Sequence, residues 1–375
     1  MISINELLKA GYTRNMASFF SKQCQEEDNM PCYSPDFRSW AHAHGFSARH
    51  ASYLDWEQFG LEDYLSDFDY NLLSPINDWG RIWVNDKLTL KLVLHGTDYS
   101  HLMPDYYYYR SRNGLISLVD NKFDNTIEDF LTALKHYSTF ACKPNNGAFS
   151  EGFNKLSYSE GIFYINNLPV TIKDIEKFVA EHPNYLYTEF LYAGEQFQPF
   201  SPTVNTLRIN VLNTNGSNPE IINVWMRIPT STASISNRIS VKEETDYNFI
   251  VKVNNETGTL EQAKLMGVNS AHPADVHPTS GLPYHITIKD WSKLIDDIYG
   301  VCRYLGTLEW LGFDIGISHK GFKMMEINTW PGITYMQAFE PLMLHPTAGP
   351  FFRNKVRQIK NLPPEQKAQR NAIQR

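Results

Sequence analysis

The 375-residue chain is poor in cysteine, with four in all: Cys24, Cys32, Cys142 and Cys302. They are widely spaced and form no CxxC pair, which argues against a disulfide framework and a thiolate zinc site and fits a reducing compartment. It also lacks any run of about 18 consecutive apolar residues, so no membrane-spanning helix is expected. The opening stretch MISINELLKAGYTRN has no apolar core of the secretory kind. These absences lead to the expectation of a soluble cytoplasmic protein; peripheral attachment to a membrane-bound assembly stays open. Basic residues are outnumbered as well, 34 Lys and Arg against 41 Asp and Glu, a formal net charge of −7. Nonspecific nucleic-acid binding needs a basic face and is therefore not expected. One triphosphate needs only a local cluster of cations. There is no internal repeat, no Walker motif and no Ser-His-Asp or Cys-His arrangement that supports a nucleophile.

Hydrophobic residues make up 42% and charged residues 20%, an ordinary globular composition on a chain long enough for two or three domains. Aromatics reach 14%. The run Tyr106 to Tyr109 reads chiefly as strand core and edge, the alternative being an amphipathic surface for a polar ligand. NELLKAG, SWAHAHGFSARHASYL and LEDYLSDFDYNLL carry apolar residues at helical spacing, so residues 1–80 form a mainly helical N-terminal region. Residues 81–124 form a linking α/β segment, strand-like from Arg81 and helical after Asp86, a good N-cap. From 125 to 195 the pattern is helix, strand, Gly-rich loop, strand, an Asn-Asn hairpin, a helix capped by Thr171, and the strand YLYTEFLYA. Residues 196–345 hold short β segments, a long helix from Asp290, and a hairpin turning at Lys320-Gly321. The tail, 346–375, is polar and expected to fray beyond Pro364.

The C-terminal hairpin carries the strongest chemical signal. Glu326 and Asn328 lie two apart on one strand, so their side chains share a face. Asp314, across the turn, can share it too, while Ile315, Ile317, Met325 and Ile327 take the core positions. Three hard oxygen ligands on adjacent strands suit Mg²⁺, which keeps sites for phosphate oxygens. A second signal is Lys143 at a strand end, followed by a loop with Gly147, Ser150 and Gly152. Such a loop can fold over a triphosphate, its N–H groups and the ammonium offsetting phosphate charge. Arg208 and Arg227 fall in apolar β segments, where an unpaired charge is costly. Each is either salt-bridged or poised to clamp a phosphoryl group or carboxylate. Asn205 is a candidate to orient the same site. His272 and His277 read as plain polar residues of a Pro-bounded loop.

These residues resemble the ATP-grasp superfamily. Its closing metal motif is an Asp, a hairpin, then Glu-x-Asn and Pro-Gly, matched here between Phe313 and Gly332. VNTLRINVL (204–212), MRIP (226–229), the ETG turn (256–258) and the His-Pro at 272 further resemble the sugar-transfer-associated ATP-grasp family of bacterial polysaccharide gene clusters. The resemblance runs from about Asn85 to Gln337. It implies an α+β ATP-grasp fold, two lobes clamping ATP behind the helical N-terminal region. It implies ATP and two Mg²⁺ ions, with Mn²⁺ as an alternative, held by Asp314, Glu326 and Asn328. Lys87 would reach the α or β phosphate, with Lys91 as its competitor, and Lys143 and the Gly loop would clamp the nucleotide. Glu189 would meet the adenine amino group, the backbone of Phe190 and Leu191 the purine edge, and Glu195 the ribose. Arg227, with Arg208, would neutralise charge as phosphate moves. The implied activity is a carboxylate-amine ligation through an acyl phosphate, joining a sugar acid or amino sugar to an amine or amino acid, small or polysaccharide-linked. The alternatives are a phosphotransferase acting on a sugar hydroxyl and a non-catalytic nucleotide-binding subunit. A homodimer is expected by analogy only.

Overall fold

Alternation of apolar and polar residues draws the chain into two antiparallel sheets of seven strands each. The computed structural model describes residues 3–147, 151–230, 241, 243 and 245–370. The first sheet holds β1 (Tyr106–Ser111), β2 (Gly114–Ser117), β3 (Thr139–Pro144), β4 (Asn154–Ser159), β5 (Ile162–Ile165), β6 (Leu168–Val170) and β7 (Tyr185–Glu189), in the spatial order β2-β1-β7-β3-β4-β5-β6. The second holds β8 (Asn205–Thr214), β9 (Asn218–Ile228), β10 (Asn248–Val253), β11 (Leu260–Met266), β12 (Ala271–Ala274), β13 (Trp310–Ser318) and β14 (Gly321–Asn328), in the order β12-β11-β10-β9-β8-β13-β14.

Two helices, Ile127–Tyr137 and Ile172–Glu181, cover the first sheet. Thr126 and Thr171 cap them, each side chain accepting from the backbone N–H three residues on. Their apolar stripes (Phe130, Ala133, Leu134; Ile175, Phe178, Val179) meet Tyr108, Phe140, Leu156 and Tyr187. Tyr106, Tyr107 and Tyr108 are all buried, so that run belongs to the core rather than to a ligand surface. The β5–β6 hairpin turns on Asn166 and Asn167 at φ +52° and +68°, the left-handed pair that a two-residue turn of this hand requires.

In the second sheet, Leu207, Ile209 and Val211 of β8 face the helix Trp291–Leu305. Arg208 and Asn210 point to the other side. On that side Leu212, Ile222, Trp225, Ile250 and Met266 meet the N-terminal helices Arg14–Asp28 and Asp67–Leu72 and the C-terminal helix Ala348–Lys360. The N-terminal region is thus a layer packed on the second sheet. Hydrogen bonds fasten it to the end of the metal-motif hairpin. Tyr70 donates to Pro331 O (2.6 Å) and accepts from Trp310 Nε1 (3.0 Å). Asn77 donates to Trp310 O (2.7 Å) and Thr329 O (3.0 Å). Tyr70 also stacks on Trp330 at 4.1 Å.

Three expectations need correction. Residues Ile82–Asn85 form a helical turn rather than a strand; they lie against β14, the edge of the sheet, burying Val84 while Ile82 and Trp83 stay exposed. The tail beyond Pro364 continues as a helix to Gln369, held by Arg370, whose guanidinium donates to Leu72 O and Ser74 O at 2.9 Å each. Met325 is not a core residue of β14. A bulge between the Asp314 and Ile315 pairings inserts it, and Met324 takes the buried place. No helix among the described residues is long and apolar enough to cross a membrane.

Candidate active site

Register builds the carboxylate pair. Asp314 lies directly opposite Glu326 on β14 and opposite Arg208 on β8. Gly312 and Gly316 flank Asp314 on the same face, so no neighbouring side chain of β13 covers it. A Cβ on Gly312 would stand 3.1 Å from Arg208 Cδ and 2.6 Å from Pro331 Cβ; glycine there leaves the room in which the guanidinium lies. Arg208 grips Asp314 with two parallel bonds, Nε to Oδ1 at 2.5 Å and Nη2 to Oδ2 at 3.0 Å. Asn328 Nδ2 reaches Glu326 Oε1 at 3.2 Å and Asp314 Oδ2 at 3.4 Å, and Lys87 Nζ lies 3.2 Å from Glu326 Oε2.

Burial pushes the Asp314 carboxyl up to about 6, against the pull of Arg208 and with Glu326 adding repulsion. Glu326 is also desolvated, but Lys87 and its hydrogen bonds outweigh burial and bring it down to about 2. Two carboxylates sharing one largely buried face repel one another, a cost that a divalent cation would relieve. Among the described residues no three or more His, Cys, Asp and Glu gather around one point. Two carboxylates and one amide make an all-oxygen set that leaves coordination places open, which fits Mg²⁺ and not a closed zinc site.

Lys87 and the β3–β4 loop meet above this pair. Asp86 caps the helix Lys87–Leu94 by accepting from Thr89 N at 2.7 Å. Its second oxygen accepts from the amides of Asn145 (2.5 Å) and Asn146 (3.0 Å), tying the helix start to the loop. Lys87 Nζ, besides facing Glu326, donates to Gly147 O at 2.8 Å. Its competitor Lys91 is spoken for: it pairs with Asp120 at 2.6 Å and donates to Pro104 O at 2.9 Å. Lys143 Nζ lies over the Tyr106 ring at 5.7 Å. Burial, with Lys87 beside it, lowers this ammonium to about 8. Gly152 needs its left-handed φ of +71°, and a Cβ there would collide with the Tyr185 hydroxyl. That hydroxyl donates to Gly152 O at 3.0 Å. Ser150 lies outside the described residues.

The connector after β7 presents an incomplete set of hydrogen bonds. Glu189 is buried, one oxygen accepting from Lys320 Nζ at 2.5 Å and the other, Oε1, without a donor among the described residues. Phe190 and Leu191 follow β7 outside any ladder, and pairing resumes where Tyr192 bridges Thr203. Lys155 of β4 lies over the Phe190 ring at 5.0 Å and the Tyr192 ring at 5.8 Å. Lys320 and Lys155 escaped sequence reasoning. One sits at a hairpin tip and the other on an exposed-looking strand, and neither position carries a local signal of its partner. Glu195 is exposed, three residues beyond this bridge.

Arg227 stands two pairs along the β8–β9 ladder from Arg208. Their guanidiniums both lie 5.5 Å from the centroid of Trp225, the residue opposite Arg208 on β9. Asn205 does not join them: three residues from Arg208 on a continuous strand, it faces the opposite side. His277 does lie in the loop after β12, but it is not a solvated residue. It is fully buried between Phe200 and Phe249, its ring nitrogens paired with Ser280 Oγ (3.0 Å) and Pro229 O (3.1 Å). His272 is exposed.

The model of the sugar-transfer associated ATP-grasp family matches residues 83–347. No curated protein matches the chain. Among solved structures it is similar to the D-alanyl-alanine synthetase A of Vibrio cholerae O1 biovar eltor, at 15% identity over 74% of this chain and 66% of that one, with a TM-score of 0.42. It is similar also to the ATP-grasp ligase PsnB complexed with minimal precursor (13% identity, 76% and 63% covered, TM-score 0.37). The L-amino acid ligase from Bacillus licheniformis is a third (10% identity, 72% and 48% covered, TM-score 0.37). The chain spans less than two thirds of the length of all three.

Proposed function

This chain belongs to the sugar-transfer associated ATP-grasp family, and on that premise we propose that it is an ATP- and Mg²⁺-dependent carboxylate-amine ligase. One observation carries the reading. Asp314, Glu326 and Asn328 converge on one face, with Arg208 bound to the first carboxylate and Lys87 to the second. In this reading a substrate carboxylate oxygen attacks the γ-phosphorus of ATP, the bond to the bridging oxygen breaks, and ADP leaves. An amine nitrogen then attacks the acyl carbon, phosphate departs, and the surplus amine proton passes to water.

Asp314, Glu326 and Asn328 would hold magnesium, which when bound offsets the charge of the phosphates. The protein's own groups position and neutralise. Lys87 and Lys143 would offset the charge of the phosphate chain. Glu189 Oε1 would accept from the adenine amino group, and the backbone of Phe190 and Leu191, outside any ladder, would meet the purine edge. Arg208 and Arg227 neutralise the phosphoryl group in transit. The substrates are read as a sugar acid or amino sugar and an amine or amino acid, in surface-polysaccharide synthesis.

The test is ADP release from Mg-ATP in the presence of hydroxylamine and a panel of uronic acids, nucleotide-linked uronic acids and amino acids. A hydroxamate formed with one carboxylate establishes the ligase and half of its substrate pair. ADP release with a phosphorylated sugar and no hydroxamate replaces the ligase by a phosphotransferase. Failure to bind ATP overturns the reading altogether.

A further inference from the structure

The family match begins at residue 83, yet residues well before it reach the same face of the second sheet. Tyr33 and Tyr53, both buried, donate their hydroxyls to the carbonyls of Val268 and Gly267 in the β11–β12 turn. Asn269 returns a bond to Cys32 O at 3.1 Å. Between these two anchors stands Arg49. Its backbone is set by buried Glu27, which accepts from the N–H groups of Ala48 (2.7 Å) and Arg49 (3.1 Å) at the start of a helical turn.

The guanidinium of Arg49 is only partly exposed and has neutral company. It donates to Val241 O at 3.2 Å, and the neighbours that act on its charge are the tyrosines Tyr33, hydrogen-bonded to it, Tyr53 and Tyr335. No carboxylate among the described residues pairs with it. Arg208 differs, being held by two bonds to Asp314. A desolvated cation without an opposite charge is costly, and an anionic ligand would relieve that cost.

Aromatic rings run from Arg49 to the carboxylate site. Tyr53 stacks on Tyr335 at 6.2 Å, Tyr335 meets Trp225 edge-on at 5.4 Å, and Trp225 carries Arg208 and Arg227. The Trp225 indole N–H, on a residue only 5% exposed, has no hydrogen-bond partner among the described residues. Two cationic positions are therefore joined by rings and one idle donor. Such a surface suits a polar ring with an anionic group at each end.

We propose that the N-terminal region supplies one wall of the acceptor site, and that Arg49 binds a second anionic group of a sugar acid whose carboxylate lies at Arg208 and Arg227. The substrate class is then a phosphorylated or nucleotide-linked sugar acid, not a free one. This rests on the ligase reading for the identity of the reacting carboxylate.

The experiment titrates the full chain, without nucleotide, with glucuronate and with glucuronate 1-phosphate, following tryptophan fluorescence. Mg-AMPPNP binding is measured separately. The wild type binds the 1-phosphate at least about tenfold more tightly, since a charge-assisted contact is worth about that factor. Arg49→Met abolishes the preference and leaves Mg-AMPPNP affinity unchanged. Arg49→Lys, which restores charge without the planar fork, recovers part of it and serves if Arg49→Met does not fold. Equal affinity of the wild type for both probes overturns the proposal, as does binding of neither. A preference that survives Arg49→Met overturns it too. Equal weakening of both probes by Arg49→Met means that Arg49 only holds the N-terminal region in place, and likewise overturns it. Loss of Mg-AMPPNP binding in the wild type would count against the ligase reading instead.

Discussion

The two sheets place their charged groups in different ways. In the second, Arg208, Asp314 and Glu326 sit within the ladder with Asn328 closing β14, and backbone register on three adjacent strands sets their spacing. In the first, Lys143 and Glu189 stand near strand ends and depend on the irregular segments next to them, the loop to Gly152 and the connector at Phe190. A mid-ladder group cannot shift without breaking paired backbone bonds, so its geometry is set before any ligand arrives. A strand-end group can be re-aimed by a few dihedral changes in the next residues. The division suits a reaction that needs a rigid charge template on one side and an adjustable nucleotide cradle on the other.

The comparison can be broken first at Glu326. Glu326→Ala should cut turnover about 10³-fold, the scale of removing a preorganised electrostatic group, while far-ultraviolet circular dichroism stays native. Product formation at the wild-type rate would remove the metal assignment. Arg208→Met comes next and reads stability. It strands a buried Asp314 carboxylate, so urea unfolding should show a loss of about 3–5 kcal/mol. Arg208→Met combined with Asp314→Leu should recover most of that loss, because the buried charge is gone. If the double variant is no more stable than the single one, the pair is not the buried unit described.

The smallest effect belongs to the first sheet. Lys143 titrates near 8 in the free protein, below its ordinary value of 10.5, through burial and the neighbouring Lys87. Between those values the folded chain binds fewer protons than the unfolded one, so this group makes stability rise with pH there. Binding of a triphosphate favours the charged form. Calorimetry at pH 8.5 in buffers of different ionisation enthalpy should therefore show proton uptake of part of one equivalent, absent in Lys143→Met. Affinity should fall a few-fold as pH rises through about 8. Equal uptake by the variant would place the titrating group elsewhere.

Much of this was readable from residues close together in sequence. The period-2 spacing of Glu326 and Asn328, the Asp86 cap and the Asn-Asn turn each depend on a few adjacent dihedrals. Other features were not. The bulge that replaces Met325 by Met324 in the core depends on how β14 pairs with β13, which no local pattern encodes. His277 reads as a loop residue because its neighbours are polar and Pro-bounded, and only packing between Phe200 and Phe249 makes it core.

Sequence alone therefore determined many of the local helices, strands and turns, since hydrophobic period and turn chemistry act over a few residues, while the α+β ATP-grasp fold was legible only through the resemblance of its motifs. Tertiary structure decided which charges meet. Arg208 pairs with Asp314, 106 positions away, Lys320 with Glu189, 131 away, and Lys87 with Glu326 across most of the chain. It alone placed Arg49 over a sheet that begins more than 150 residues later. Such contacts are fixed by register and layer packing, and Coulomb and hydrogen-bond forces select among them only once the chain is folded.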